Sequence, residues 1–116
     1  MENNKFLTRW MDTLLSEDPD QMIALYKDDA LLLPTLSNQP RHSQQERRDY
    51  FVEFLAKQPQ CALDLCTIHT LSSGDLVMGG IYSFVFKDGS TAKARFSFCF
   101  DHDGLIVHHH SSLMPE

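Results

Sequence analysis

The sequence predicts an α+β fold, with amphipathic helices packed on one face of a curved, mostly antiparallel sheet. Three observations carry this. The first 56 residues hold apolar stripes of helical period, everything from residue 60 onward patterns as strand, and the turns between those strands are short. Short links favour side-by-side pairing of sequential strands. The chain has 116 residues, enough for one domain spanning 1–116, and it shows no internal repeat, low-complexity tract or linker.

Each element follows from its residues. Phe6, Trp10 and Leu14 recur every four positions, as do Leu7, Met11 and Leu15, which predicts a helix over 3–16. Asp18-Pro19 reads as a cap followed by proline at the first helical position. Met22, Ile23, Leu25 and Tyr26 form the apolar side of this second, short helix, which Lys27-Asp28-Asp29 ends. The apolar run 30–33, stopped by Pro34, is a short buried strand, and 35–42 is a loop. Ser43-Gln44-Gln45-Glu46 is a capping box opening a third helix that carries Tyr50, Phe51, Phe54 and Leu55 and stops before Pro59. Strands follow over 60–71, 76–86 and 91–100, with turns at Lys87-Asp88-Gly89 and Asp101-His102-Asp103-Gly104. The third alternates strictly, with Phe96, Phe98 and Phe100 on one face and Arg95, Ser97 and Cys99 on the other. The last strand runs from Leu105 through His108-His109-His110-Ser111-Ser112.

Composition excludes several classes. Hydrophobic residues make up 42% and charged residues 22%, as in ordinary globular proteins. The net charge of -6 argues against a nucleic-acid or anionic-membrane surface, and there is no run of eighteen apolar residues. Met1-Glu2-Asn3-Asn4-Lys5 lacks the pattern of a signal peptide, so the expected location is the cytoplasm. Cys61, Cys66 and Cys99 lack zinc-knuckle or redox spacing and read as small buried groups in a reducing compartment. Cys61 and Cys66 are five apart, so a continuous strand would send them to opposite faces.

The histidine tract is the densest chemistry in the chain. Alternation puts His109 and Ser111 on one face, and His108, His110 and Ser112 on the other. A tag remnant, a solvated edge strand, a subunit contact and a functional surface all stand open. A sheet curled around helices leaves a conical cavity, and Arg95 and Ser97, or their neighbours, are expected to face it. Arg95 would then pair with a carboxylate such as Asp64, or form an anion site. Thr35, at the end of its strand, is a rim residue or a turn hydroxyl. Tyr50 is a cavity or core ring. His108 and His110 share a face and would need a third ligand, such as His69 or Asp64, to hold a metal. Phosphate loops, nucleophile elbows and H-E-x-x-H pairs are absent.

Five segments occur together in a known group: Leu32-Leu33-Pro34-Thr35-Leu36-Ser37-Asn38, Asp49-Tyr50-Phe51-Val52-Glu53-Phe54-Leu55, Gly80-Ile81-Tyr82-Ser83-Phe84, Ala94-Arg95-Phe96-Ser97-Phe98 and the histidine tract. Over residues 6–116 the chain resembles the iota-class carbonic anhydrases. These are related to the association domain of calcium/calmodulin-dependent kinase II, within the nuclear-transport-factor-2-like superfamily. The resemblance implies that superfamily's cone. It also implies reversible hydration of carbon dioxide to bicarbonate, without a cofactor, although other members of the class use zinc or manganese. By motif the catalytic residues are Thr35, Tyr50, His109 and Ser111, with Arg95, Ser97 and Tyr82 binding substrate. Arg95 matches a pocket arginine of the kinase domain. That domain's second arginine falls on Ser111, a departure from the kinase pocket.

The expected mechanism has Thr35, Tyr50 and Ser111 positioning one water against carbon dioxide. The proton leaves through the hydroxyls or to His109, whose ordinary pKa of about 6.5 suits neutrality. Arg95 would stabilise the anionic product. The expected partners are carbon dioxide and bicarbonate, plus a second copy in a homodimer, with His108 and His110 at the subunit contact and no nucleic acid or membrane. The rival expectation is a non-catalytic association or small-molecule-binding module.

Overall fold

The structure, a computed structural model, describes residues 5–115. Residues 3 and 4 of the first expected helix lie outside them. Among the described residues three helices and five strands follow one another: α1 (Lys5–Leu14), α2 (Pro19–Ile23), β1 (Tyr26–Leu33), α3 (Gln44–Ala56), β2 (Gln60–Thr70), β3 (Leu76–Val85), β4 (Thr91–Phe100) and β5 (Ile106–Leu113). Helix α1 buries Leu7, Trp10 and Leu14 from the expected stripe. Asp18 caps α2, its carboxylate accepting from the Asp20 amide at 2.9 Å, with Pro19 in the first turn. The capping box at α3 is complete: Ser43 Oγ accepts from the Glu46 amide, and Glu46 Oε1 accepts from the Ser43 amide, both at 3.1 Å. Each cap contributes about 1 kcal/mol.

The sheet order is β1-β5-β4-β3-β2. Strands β2 to β5 pair antiparallel in sequence, as the short turns imply. The edge strand β1 instead runs parallel to β5. The second helix is shorter than expected, and Tyr26 opens β1 rather than closing α2. The reason is tertiary: the Leu25 carbonyl accepts from the Ile106 amide at 2.8 Å, and Tyr26 pairs with Ile106.

Three irregularities shape the sheet. The register of β1 on β5 shifts between Tyr26 and Leu31. The pairing of β5 with β4 shifts between Cys99 and Phe100, leaving Val107 as an extra residue. On β2 the extra residue is Asp64, between Leu63 and Leu65. Such bulges bend the strand and reset alternation. Here they overturn one expectation, because Cys61 and Cys66 both pack towards the core instead of facing opposite ways. Gly80 lies across from the β2 bulge, where a Cβ would stand 1.9 Å from the Leu65 carbonyl oxygen. Only glycine allows that approach.

The helices close over the concave face, whose core is aromatic. Tyr82, Phe84, Phe96, Phe98 and Phe100 project inward and meet Trp10 of α1 and Phe51 and Phe54 of α3. Trp10 stacks on Tyr82 at 5.7 Å and meets Phe98 edge-on at 5.4 Å. Burying each such ring is worth about 1.5–3 kcal/mol before entropy is counted. No helix among the described residues is long and apolar enough to cross a membrane.

Candidate functional site

Inside the cone is a small cavity lined by Trp10, Leu32, Pro34, Thr35, Tyr50, Phe51, Phe54, Tyr82, Phe84, His109 and Ser111. A water-sized sphere can be centred in about 10 Å³ of it, which is room for one water molecule. Strand β5 supplies His109 and Ser111, 2% and 4% exposed, because the Val107 bulge turns these two residues inward. Strand β3 supplies Tyr82, α3 supplies Tyr50, and the turn after β1 supplies Thr35.

All of these but Tyr50 belong to one continuous chain of hydrogen bonds that begins at Trp10. Trp10 Nε1 donates to the Tyr26 hydroxyl at 3.0 Å. That hydroxyl meets His109 Nδ1 at 2.8 Å. On the far side of the ring, Nε2 meets the Tyr82 hydroxyl at 3.1 Å. Tyr82 donates to Ser111 Oγ at 2.7 Å, and Ser111 is bonded to Thr35 Oγ1. His109 also stacks on Phe98 at 3.9 Å and takes the edge of Trp10 at 5.3 Å.

Burial dominates the electrostatics. It pushes the pKa of His109 well below the usual imidazole value, with His108 and His110 adding to the shift, so His109 is neutral at pH 7. Burial likewise raises the tyrosines Tyr26, Tyr50 and Tyr82 above the usual phenol value. The Tyr50 oxygen lies against the backbone of Leu36 and Thr35. The site is therefore a cluster of neutral hydroxyls around one neutral imidazole, with no charged side chain lining it.

Two expected site residues are not part of this cluster. Arg95 and Ser97 are exposed on the convex face, while Phe96 and Phe98, their neighbours along β4, fill the cone. Of the two faces that alternation defines on β4, the phenylalanine face is the inner one. Phe96 stacks on Tyr82 at 4.5 Å and Phe98 on His109, and a lone guanidinium in their place would lose its water without a partner. Asp64 does not meet Arg95 either; it accepts from Ser83 Oγ at 2.5 Å and pairs with Lys93 at 3.7 Å. His108 and His110 are half-buried on the other side of β5.

The donor set does not suit a metal ion. Both nitrogens of His109 are engaged by tyrosines, and no carboxylate or thiol lines the cavity. Among the described residues no three or more His, Cys, Asp or Glu are placed to share a cation.

Thr35 and Ser111 also line an outer groove of about 420 Å³, together with Pro34, Ser37, Asn38, His110 and Ser112. This pair is the partition between groove and cavity. A larger cleft of about 1220 Å³ gathers Lys57, Lys87 and Lys93 beside Leu113, but none of the buried hydroxyls line it.

Sequence reasoning missed Tyr26 and Trp10 as parts of the site. In the sequence both fit apolar positions of a helix. Trp10 carries an N–H that must find an acceptor once buried, and that requirement was the available signal.

Helices folded over a five-stranded, curved sheet with a polar pocket at its centre define an α+β cone of the nuclear-transport-factor-2-like type. Residues 1–115 match the calcium/calmodulin dependent protein kinase II association domain, and the chain belongs to that family. It is similar to a crystal structure from Xanthomonas campestris described as such an association domain. The TM-score is 0.93 with 36% identity, covering 99% of this chain and 87% of that one. The orange carotenoid proteins of Fremyella diplosiphon and of Anabaena share the fold alone. Each is 16% identical, with TM-scores of 0.82 and 0.81, covering 97% of this chain and 36% of theirs. No curated protein matches the chain.

Proposed function

We propose that this cone catalyses the reversible hydration of carbon dioxide to bicarbonate without a metal. The observation that supports this reading is the buried cluster of Thr35, Tyr50, Tyr82 and Ser111 around neutral His109, open to one water and walled by aromatic rings. Such a site holds the attacking water and offers hydroxyl donors to the oxygens that become anionic once carbon dioxide reaches that water. Carbon dioxide enters from the groove when the Thr35–Ser111 partition parts. The water oxygen attacks carbon, the new C–O bond gives bicarbonate, and one water proton leaves to solvent through the groove side of that pair. An unassisted water holds its proton far too tightly to ionise at neutral pH. Positioning and exclusion of bulk water supply the acceleration here. The lowered pKa of His109 removes it as proton acceptor at neutrality. It acts instead through Tyr82, and Arg95 and Ser97 take no part.

Stopped-flow hydration by metal-stripped protein tests this. Activity that survives chelation and falls at least about 100-fold in both Ser111→Ala and Tyr50→Phe is expected, since removing one stabilising donor costs that much. Activity equal to buffer, with or without added zinc or manganese, refutes the enzyme.

A second reading is a non-catalytic association or small-molecule-binding module, favoured by the family match and the near-closed cavity. Either way we propose self-association, supported by Leu63, Leu65 and Val85 exposed on the sheet. A reducing, cytoplasmic location fits three free cysteines.

A further inference from the structure

We propose that Trp10 is a positioning residue that fixes the direction of the whole hydrogen-bond chain, locks His109 as its Nε2–H tautomer, and thereby makes the hydroxyl cluster a donor to an oxyanion in the cavity. The lock stands on geometry alone, and its donor role deepens the function proposed above.

The argument starts at the one group whose role cannot change. An indole N–H only donates. Trp10 Nε1 therefore donates to the Tyr26 oxygen, and the single Tyr26 proton is left for His109 Nδ1. A nitrogen that accepts carries no proton, so a neutral ring must carry it on Nε2. That proton goes to the Tyr82 oxygen, and the Tyr82 proton goes to Ser111. Thr35 and Ser111 then hold two protons and share one bond. One hydroxyl proton is left for an occupant.

Every link points the same way, from α1 to the cavity. Reversing the chain would make the Tyr26 oxygen accept from both the indole and His109 Nδ1, leaving the buried Tyr26 proton with neither partner to accept it, which costs a hydrogen bond. Arg47 reinforces the direction, its guanidinium 5.8 Å over the Tyr26 ring, where a cation strengthens the phenol as a donor. The chain is also not a proton relay, because an indole nitrogen neither supplies nor takes up a proton in water. What it does is deliver a preset donor. The cavity thus favours an occupant that turns an acceptor oxygen towards this donor, as the anionic oxygens of a bicarbonate or carboxylate do.

The test is imidazole nitrogen NMR on 15N-labelled protein at pH 7, with [13C]bicarbonate titrated as the probe. The wild type is expected to show His109 as pure Nε2–H. Trp10→Phe frees the Tyr26 oxygen, and a mixture of tautomers is expected, with bicarbonate affinity weakened about tenfold. Tyr82→Phe removes the acceptor of the Nε2 proton but leaves the indole, so pure Nε2–H must persist. Should Trp10→Phe not fold, Tyr82→Phe decides alone. Nδ1–H or imidazolium in the wild type, an unchanged tautomer in Trp10→Phe, or a switch in Tyr82→Phe each overturns the lock. A wild type that keeps Nε2–H but binds no bicarbonate overturns the donor role. Hydration measured on the same samples separates the readings: no turnover with the tautomer pattern intact removes the enzyme and leaves the lock.

Discussion

Arg47 and His109 are both buried, both polar, and both in contact with Tyr26, yet one is a fixed charge and the other is kept neutral. Arg47 of α3 has no exposed surface. It donates to the carbonyls of Ala30 at 2.5 Å, Lys27 at 2.8 Å and Asp28 at 3.0 Å, and to Gln44 Oε1 at 3.0 Å. These carbonyls belong to the stretch of β1 that leaves the β5 ladder between Tyr26 and Leu31. A guanidinium stays protonated in proteins even where burial lowers its pKa, as it does here. Arg47 therefore serves as structure, filling a gap in the sheet with a permanent set of donors. Neutral His109 sits among groups that each carry a movable proton. The difference separates a charge held by backbone, which supports the fold, from an imidazole held by side chains, which shapes a site.

Removing Arg47 should break this comparison hardest. Arg47→Met strips donors from the buried Ala30 carbonyl and from the half-buried Lys27 and Asp28 carbonyls, and a loss of about 3–5 kcal/mol in urea unfolding is expected. A loss below about 1 kcal/mol would mean the bulge holds itself.

His109 gives the next effect, and acid reaches it where it cannot reach Arg47. The unfolded chain takes up this proton near pH 6.5, whereas the folded chain, with its lowered pKa, does not. Stability is thus full above about pH 6.5 and falls as pH drops towards the native value, by up to about 1.4 kcal/mol per unit. His109→Gln should lose about 1–3 kcal/mol at pH 7 and flatten that slope. An equal slope in both proteins would place the acid sensitivity elsewhere.

Arg95 is the mildest case and the control for Arg47. Exposed on the convex face, Arg95→Ala should change stability by no more than about 0.5 kcal/mol and leave carbon dioxide hydration untouched. A fall in turnover would return this arginine to the site.

The sequence made one half of this contrast readable. The histidine–serine pair followed from alternation, and the third helix from its capping box, because both depend on neighbours in the chain. Arg47 gave no signal, since arginine is rarely buried and its carbonyl partners lie at least seventeen residues away. Strict alternation in β4 separated two faces without saying which was inside; that depended on Trp10 and His109, against which the phenylalanines pack. Tyr26 was assigned to a helix because Met22 to Tyr26 is apolar throughout, and its strand partner Ile106 lies eighty residues on.

The Val107 bulge has a wider consequence. Had the ladder continued from the Phe100–Ile106 pair without that extra residue, His108, His110 and Ser112 would face into the cone in place of His109 and Ser111. Two imidazoles two apart on one face are the beginnings of a chelate. A single residue of slack thus decides whether the same five letters, HHHSS, present the cone with a hydrogen-bonding pair or half of a metal centre. The two chemistries lie one register step apart in the same strand.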